Sequence, residues 1–142
     1  MRFGRFLPQG WRYDLVDVAP EDHWKTMLSL LHYADNAAAG EPLPGGEFAW
    51  DGVWVYDHFH TTPTPSTQAT HAAWTLMAAF AAASQPLRLG QMCTCTAYRA
   101  PTYLPTVPAP VAPAPRGPLH AGIAAGWSEP QCPAAASASP RP

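Results

Sequence analysis

The pattern of apolar and polar positions divides the first hundred residues into alternating strand-like and helix-like segments. Short segments rich in apolar, aromatic and β-branched residues predict strands, because such side chains suit a pleated and largely buried surface. Three segments of this kind cover residues 2–7, 48–59 and 87–95. The first two are followed by residues that favour turns, at 8–10 and 61–66, so each of these predicted strands has a defined end.

Apolar residues three or four positions apart predict two helices between these strands. The first begins near Pro20, with Glu21 and Asp22 at the positive end of the helix dipole. Its predicted core face consists of Trp24, Met27, Leu28, Leu31 and Ala34. The second helix is predicted over residues 67–84, and its core face consists of Ala69, Ala73, Leu76, Met77 and Phe80. Strands that alternate with helices of this length predict an α/β fold with a parallel sheet. The pattern alone leaves open whether that sheet is part of a barrel or doubly wound.

The composition changes after residue 100. The chain has 142 residues and 18 prolines, and 11 of those prolines lie in the last 42 positions. Proline lacks an amide donor and clashes with the preceding helical turn, so residues 101–118 are predicted not to form a helix. Residues 119–127 are predicted to form a short fourth strand that ends in glycine. Residues 128–142 have no periodicity and are predicted to be disordered.

Charge and apolar run length exclude several classes of partner. The net charge is −2 with eight basic residues, which gives no electrostatic footprint for nucleic acid. The longest apolar run, residues 72–83, is about 12 residues long and too short to span a bilayer. The first ten residues lack the apolar region of a signal peptide, and three cysteines do not form a disulfide framework. A soluble, cytoplasmic protein is therefore predicted.

Asp57 and His58, at the end of the second predicted strand, form the most chemically suggestive pair in the chain. Functional sites of parallel sheets form at the carboxyl ends of the strands, and a histidine there can exchange protons with a ligand near neutral pH. The alternative is a surface histidine without a chemical role. His58 and His60 together with Cys93 and Cys95 suggest a metal site, but Cys-x-Cys is not a usual zinc spacing. No metal site is predicted.

Five segments, in this order, resemble the luciferase-like monooxygenase family. They are RFGRFLPQG at 2–10, WDGVWVYDHF at 50–59, AWTLMAAFAAA at 73–83, LRLGQ with the following YRAP at 87–101, and GIAAGW at 122–127. The likeness is strongest to the branch that uses the deazaflavin coenzyme F-420, with FMN as the alternative cofactor. It covers residues 1–127, nearly the whole chain.

The resemblance implies a (β/α)8 barrel that binds a flavin-like ring at its carboxyl-terminal face. It further implies an oxidoreductase that moves a hydride between C5 of the ring and a small-molecule substrate. Asp57 and His58 correspond to the family's Asp-His pair beside the ring and the substrate, which implies roles in catalysis and cofactor binding. Met92 and Cys93 correspond to a non-proline cis peptide bond that contacts the ring.

The chain also departs from the family. A complete barrel needs about 250 residues, so this chain is expected to supply about four strands of a partial TIM barrel. The prolines of residues 101–118 stand where the family has its third helix. Four strands leave an open sheet edge, which a second copy in a homodimer or another chain is expected to complete. The alternative is a non-catalytic remnant that does not bind coenzyme on its own.

Overall fold

The computed structural model describes residues 3–40, 50–84, 87–100, 102–103, 106 and 119–126. The strands within these ranges are β1 Gly4–Phe6, β2 Gly52–Val55, β3 Arg88–Cys95 and β4 His120–Ala124, and the α-helices are α1 His23–Ala38 and α2 Ala73–Ala83. Of residues 101–118, where the third helix is predicted to be disrupted, positions 101, 104–105 and 107–118 lie outside the described residues. The predicted disordered tail at 128–142 lies outside them too.

The strands form one parallel sheet in the order β1-β2-β3-β4. Each strand therefore pairs with its neighbour in sequence. A doubly wound sheet instead reverses its strand order at a switch point, as in the order 3-2-1-4-5-6. An unbroken sequential order is that of successive βα units in a (β/α)8 barrel. The predicted α/β fold with about four barrel strands is thus confirmed.

Helix α1 packs the predicted apolar stripe against the sheet, with one exception. Met27, Leu31 and Ala34 are buried in the core cluster, and Leu28 packs against it. Trp24, which the periodicity places with them, is 42% exposed and stacks on Phe80 of α2, with 6.0 Å between the ring centroids. Trp24 lies in the first turn of α1, where its indole bridges to α2 at the surface instead of entering the core.

Helix α2 begins at Ala73, six positions later than the predicted start at residue 67. The backbone of His71 bonds to Gln9 instead of to a helical turn: its N–H donates to the Gln9 carbonyl oxygen over 3.0 Å, and its carbonyl oxygen accepts from Gln9 Nε2 over 2.7 Å. This segment is therefore a loop fixed to the end of β1. Ala69, predicted on the core face of the helix, lies in that loop beside Gly10.

The remaining strand limits differ at their ends. β2 stops at Val55, four residues before the predicted end, so Asp57 and His58 follow the strand rather than belong to it. β3 is one residue shorter at its start than predicted, and β4 occupies five positions of the predicted 119–127. No helix in the described ranges is both long and apolar enough to cross a membrane.

Candidate functional site

Asp57 and His58 lie directly beyond the carboxyl end of β2, next to the segments that follow β1 and β3. Both side chains belong to buried residues. The segment after β1 contributes Gln9 and Trp11, and β3 contributes the backbone N–H of Cys95. The pair therefore stands where the ends of three neighbouring strands meet, as the sequence predicts for a parallel sheet.

The Asp57 carboxylate is fully engaged by residues from the end of β3. Its Oδ1 accepts a hydrogen bond from Arg99 Nη2 over 2.7 Å, and its Oδ2 accepts from Arg99 Nη1 and from the Cys95 N–H over 3.1 Å. The side chain is 0% exposed, and that of Arg99 is 12% exposed. A buried carboxylate keeps its charge at acceptable cost when an arginine binds it in this two-pronged way.

His58 is held by stacking on an aromatic ring. Its imidazole lies parallel to the indole of Trp11, with a centroid separation of 4.3 Å and an interplanar angle of 19°. Tyr56 contacts the same indole at 4.6 Å and stacks on Phe6 at 4.0 Å. These rings form one aromatic cluster across the ends of β1 and β2, and this cluster fixes the plane of the imidazole.

Burial raises the pKa of Tyr56 above its usual value, and the nearby Arg12 guanidinium opposes the shift. The phenol is therefore protonated throughout the physiological pH range. It serves the aromatic cluster as a neutral ring with a polar tip rather than as a proton acceptor.

Gln9 is a structural centre of this region that the sequence analysis missed. Its Nε2 donates to the carbonyl oxygens of Tyr56 and His71, both over 2.7 Å, and its Oε1 accepts from the Tyr56 N–H over 2.9 Å. One buried amide thus joins the ends of β1 and β2 to the loop before α2. Its position in a Pro-Gln-Gly turn gave no signal for this role, since the partners lie 47 and 62 residues away.

A pair of histidines behind Gln9 was also missed. His23 Nδ1 lies 3.0 Å from His71 Nε2, and His23 Nε2 lies 3.1 Å from the Val18 carbonyl oxygen. Because a carbonyl only accepts, His23 Nε2 carries the proton and Nδ1 accepts from His71. Burial lowers the pKa of His71, and the neighbouring His23 lowers it further.

Met92 and Cys93 lie on β3, and the peptide bond between them is cis. The pairing register with β4 shifts between Gln91 and Thr94, across the same two residues. Met92 is 43% exposed and Cys93 is exposed as well. Alternation along the strand places Met92 on the same sheet face as Gly90, the glycine covered by the Trp54 ring. The non-proline cis bond that the resemblance implies is therefore present at the expected position.

The residues considered for a metal site do not come together as ligands. The Cys95 thiol is buried and donates to the Ala125 carbonyl oxygen over 3.6 Å, whereas Cys93 is exposed. Over the described ranges, no three histidine, cysteine, aspartate or glutamate side chains form a group that could hold a metal ion.

The solved structures of similar architecture include two monooxygenases. The crystal structure of monooxygenase RslO1 from Streptomyces bottropensis matches with a TM-score of 0.62 and 20% identity, over 97% of this chain. The oxygenating constituent of 3,6-diketocamphane monooxygenase from Pseudomonas putida, a type II Baeyer-Villiger enzyme in complex with FMN, matches with a TM-score of 0.58 and 15% identity, over 95% of this chain. The likeness establishes the fold.

The matched part is a fraction of each neighbour, because the chain spans 37% of the first protein and 32% of the second. No protein-family model matches the sequence, and comparison with curated proteins gives no match.

Proposed function

We propose that this chain carries the first part of the coenzyme site of an oxidoreductase of the luciferase-like monooxygenase class. The coenzyme is F-420, with FMN as the alternative, and the substrate is a small molecule. The observation that carries the proposal is the position of His58, stacked on Trp11 at the carboxyl end of a parallel sheet ordered like a barrel. The FMN complex of one structural neighbour supports a flavin-type ligand for this fold.

The residues at this end of the sheet suit a flat, largely apolar ring. Met92 presents an exposed thioether on the sheet face that carries Gly90 and the Trp54 ring. His58 adds a group that donates and accepts hydrogen bonds, which suits the polar edge of such a ring. The donor set thus fits a flavin or deazaflavin better than it fits a metal ion or a phosphate group.

Each residue has a distinct task in this proposal. Bound F-420 would supply the carbon, C5, that gives or takes a hydride. His58 would hold or release a proton at an imidazole nitrogen beside the substrate, as a histidine acting as general acid or base does. Trp11 would keep the imidazole plane fixed, and Met92 and Cys93 would contact the ring.

Coenzyme titration tests the proposal. We expect the full 142-residue chain to bind F-420 or FMN saturably, as measured by the fluorescence of the coenzyme ring. His58→Ala should weaken that binding by about tenfold or more. His32→Ala is the matched control, because His32 is an exposed histidine on α1. A folded wild-type chain that binds neither coenzyme at high micromolar concentration would instead support the non-catalytic remnant.

A further inference from the structure

The geometry around Asp57 assigns a task to Arg99, a residue that the sequence analysis did not single out as functional. Both carboxylate oxygens of Asp57 accept from the Arg99 guanidinium, and Oδ2 also accepts from the Cys95 N–H. Because the Asp57 side chain is 0% exposed, it does not reach a ligand. Its contacts instead tie the residue after β2 to the residues at the end of β3.

Arg99 is itself held in a fixed orientation. Its guanidinium carbon lies 5.8 Å from the centre of the Phe59 ring, and Phe59 packs on Tyr98 with 4.7 Å between centroids. The arginine therefore contacts the chain on both sides of His58: Asp57 before it and Phe59 after it. A planar fork that binds a carboxylate and lies over a ring is specific to arginine, and lysine does not reproduce it.

We propose that Arg99 is a positioning residue that holds His58 in its stacked orientation by fixing Asp57 and Phe59, its two neighbours in sequence. Asp57 shares this task and takes no part in proton transfer. His58 is then the residue of the Asp-His pair that faces the ligand. The part of this proposal that concerns coenzyme affinity rests on the proposed function, whereas the part that concerns the His58 side chain does not.

The test follows the His58 imidazole by NMR in the full-length chain. Stacking on the Trp11 indole shifts the ring protons of His58 upfield, and the signals are assigned by their loss in His58→Gln. We expect Arg99→Lys, which keeps the charge but loses the fork, to fold with an unchanged circular dichroism spectrum. In this variant the His58 signals move toward the positions of an unstacked imidazole. The affinity for F-420 or FMN falls by about tenfold or more.

Arg88→Lys is the matched control, because Arg88 is the first residue of β3, at the opposite end of the strand from Cys95, which bonds Asp57. This variant leaves both the His58 signals and the coenzyme affinity unchanged. If Arg99→Lys does not fold, Asp57→Asn combined with Arg99→Met replaces the buried charges by neutral groups and gives the same test. We expect displaced His58 signals in this double variant as well.

His58 signals that stay at their wild-type positions in the folded Arg99 variants would overturn the positioning role. Failure of the wild-type chain to bind either coenzyme would contradict the proposed function. In that case the NMR signals still decide the role of Arg99, so the two failures are distinguishable.

Discussion

Single buried polar side chains decide the local structure around the strand ends. Gln9 joins three segments through its side-chain amide, and Asp57 joins two through its carboxylate. Each bond satisfies a backbone group that the end of a strand or the start of a helix would otherwise leave without a partner. Burying such a group unpaired costs about 1–3 kcal/mol, which is large beside the stability of a small domain.

The histidine pair makes stability depend on pH. The folded-state pKa of His71 lies below its unfolded value of about 6.5, because burial and His23 oppose its protonation. Well above about pH 6.5 neither the folded nor the unfolded state holds the proton on His71. As the pH falls below this value, the unfolded chain takes up the proton first. The free energy of unfolding therefore decreases until the folded-state pKa is reached, and then levels off.

We expect His71→Asn to remove this part of the pH dependence. Denaturant unfolding at several pH values between about 5 and 7.5 should give a shallower decline for the variant than for the wild-type chain. His32→Asn, on the exposed side of α1, should leave the decline unchanged. Equal slopes for His71→Asn and wild type would show that the histidine contact does not shift this titration.

At the scale of the elements, two glycines let a tryptophan lie across the sheet. Trp54 of β2 covers both Gly90 of β3, its partner in the register, and Gly4 of β1, which lies two residues before its partner Phe6. A Cβ atom on either glycine would overlap the indole. The indole then extends over the strand bearing Gly90 to His120 of β4, with which it stacks at 5.6 Å. One ring thus contacts all four strands of the sheet.

We expect Gly90→Ala to lower the free energy of unfolding by about 1–3 kcal/mol, the usual cost of overpacking a filled site. Thermal or denaturant unfolding measures the loss. Trp54→Leu removes the ring atoms that the new methyl group would overlap. Gly90→Ala should therefore cost less stability in the Trp54→Leu variant than in the wild-type chain. Strictly additive losses would mean that the methyl group and the indole do not compete for space.

The sequence specified the elements better than their ends. The apolar pattern located β3 to within one residue, because Pro86 marks the break just before its start. It placed the start of α2 six residues too early, because the partner that keeps His71 out of the helix is Gln9, far away in the chain. The position of Asp57 and His58 followed from strand order, whereas Arg99 and Trp11 became visible as their partners only through tertiary contacts.

At the scale of the whole molecule, apolar side chains remain exposed on both faces of the sheet. Phe6 and Met92 are exposed on the face that carries Trp54, and Ile123 of β4 is 66% exposed on the other face. Exposed apolar surface favours association, and so does the edge strand β1, which pairs only with β2 among the strands of the described ranges.

We expect Ile123→Lys to reduce self-association of the chain and to change the free energy of unfolding by no more than about 0.5 kcal/mol. Light scattering over a range of protein concentrations measures the first quantity, and denaturant unfolding measures the second. Val16→Lys is the control, because Val16 is also exposed but lies outside the sheet, in the segment after β1. A marked loss of stability in Ile123→Lys would mean that this residue is covered in solution.

The sequential strand order also has a consequence for synthesis of the chain. The buried members of the main core cluster extend from Leu7 to Leu89, and every one of them precedes the proline-rich segment. The ribosome therefore polymerises every buried member of this cluster before it reaches residue 101, and of the partly buried residues packed on the cluster only Leu119 comes later. The first three strands and both helices can pack while the rest of the chain is still being made, and β4 joins an edge that already exists.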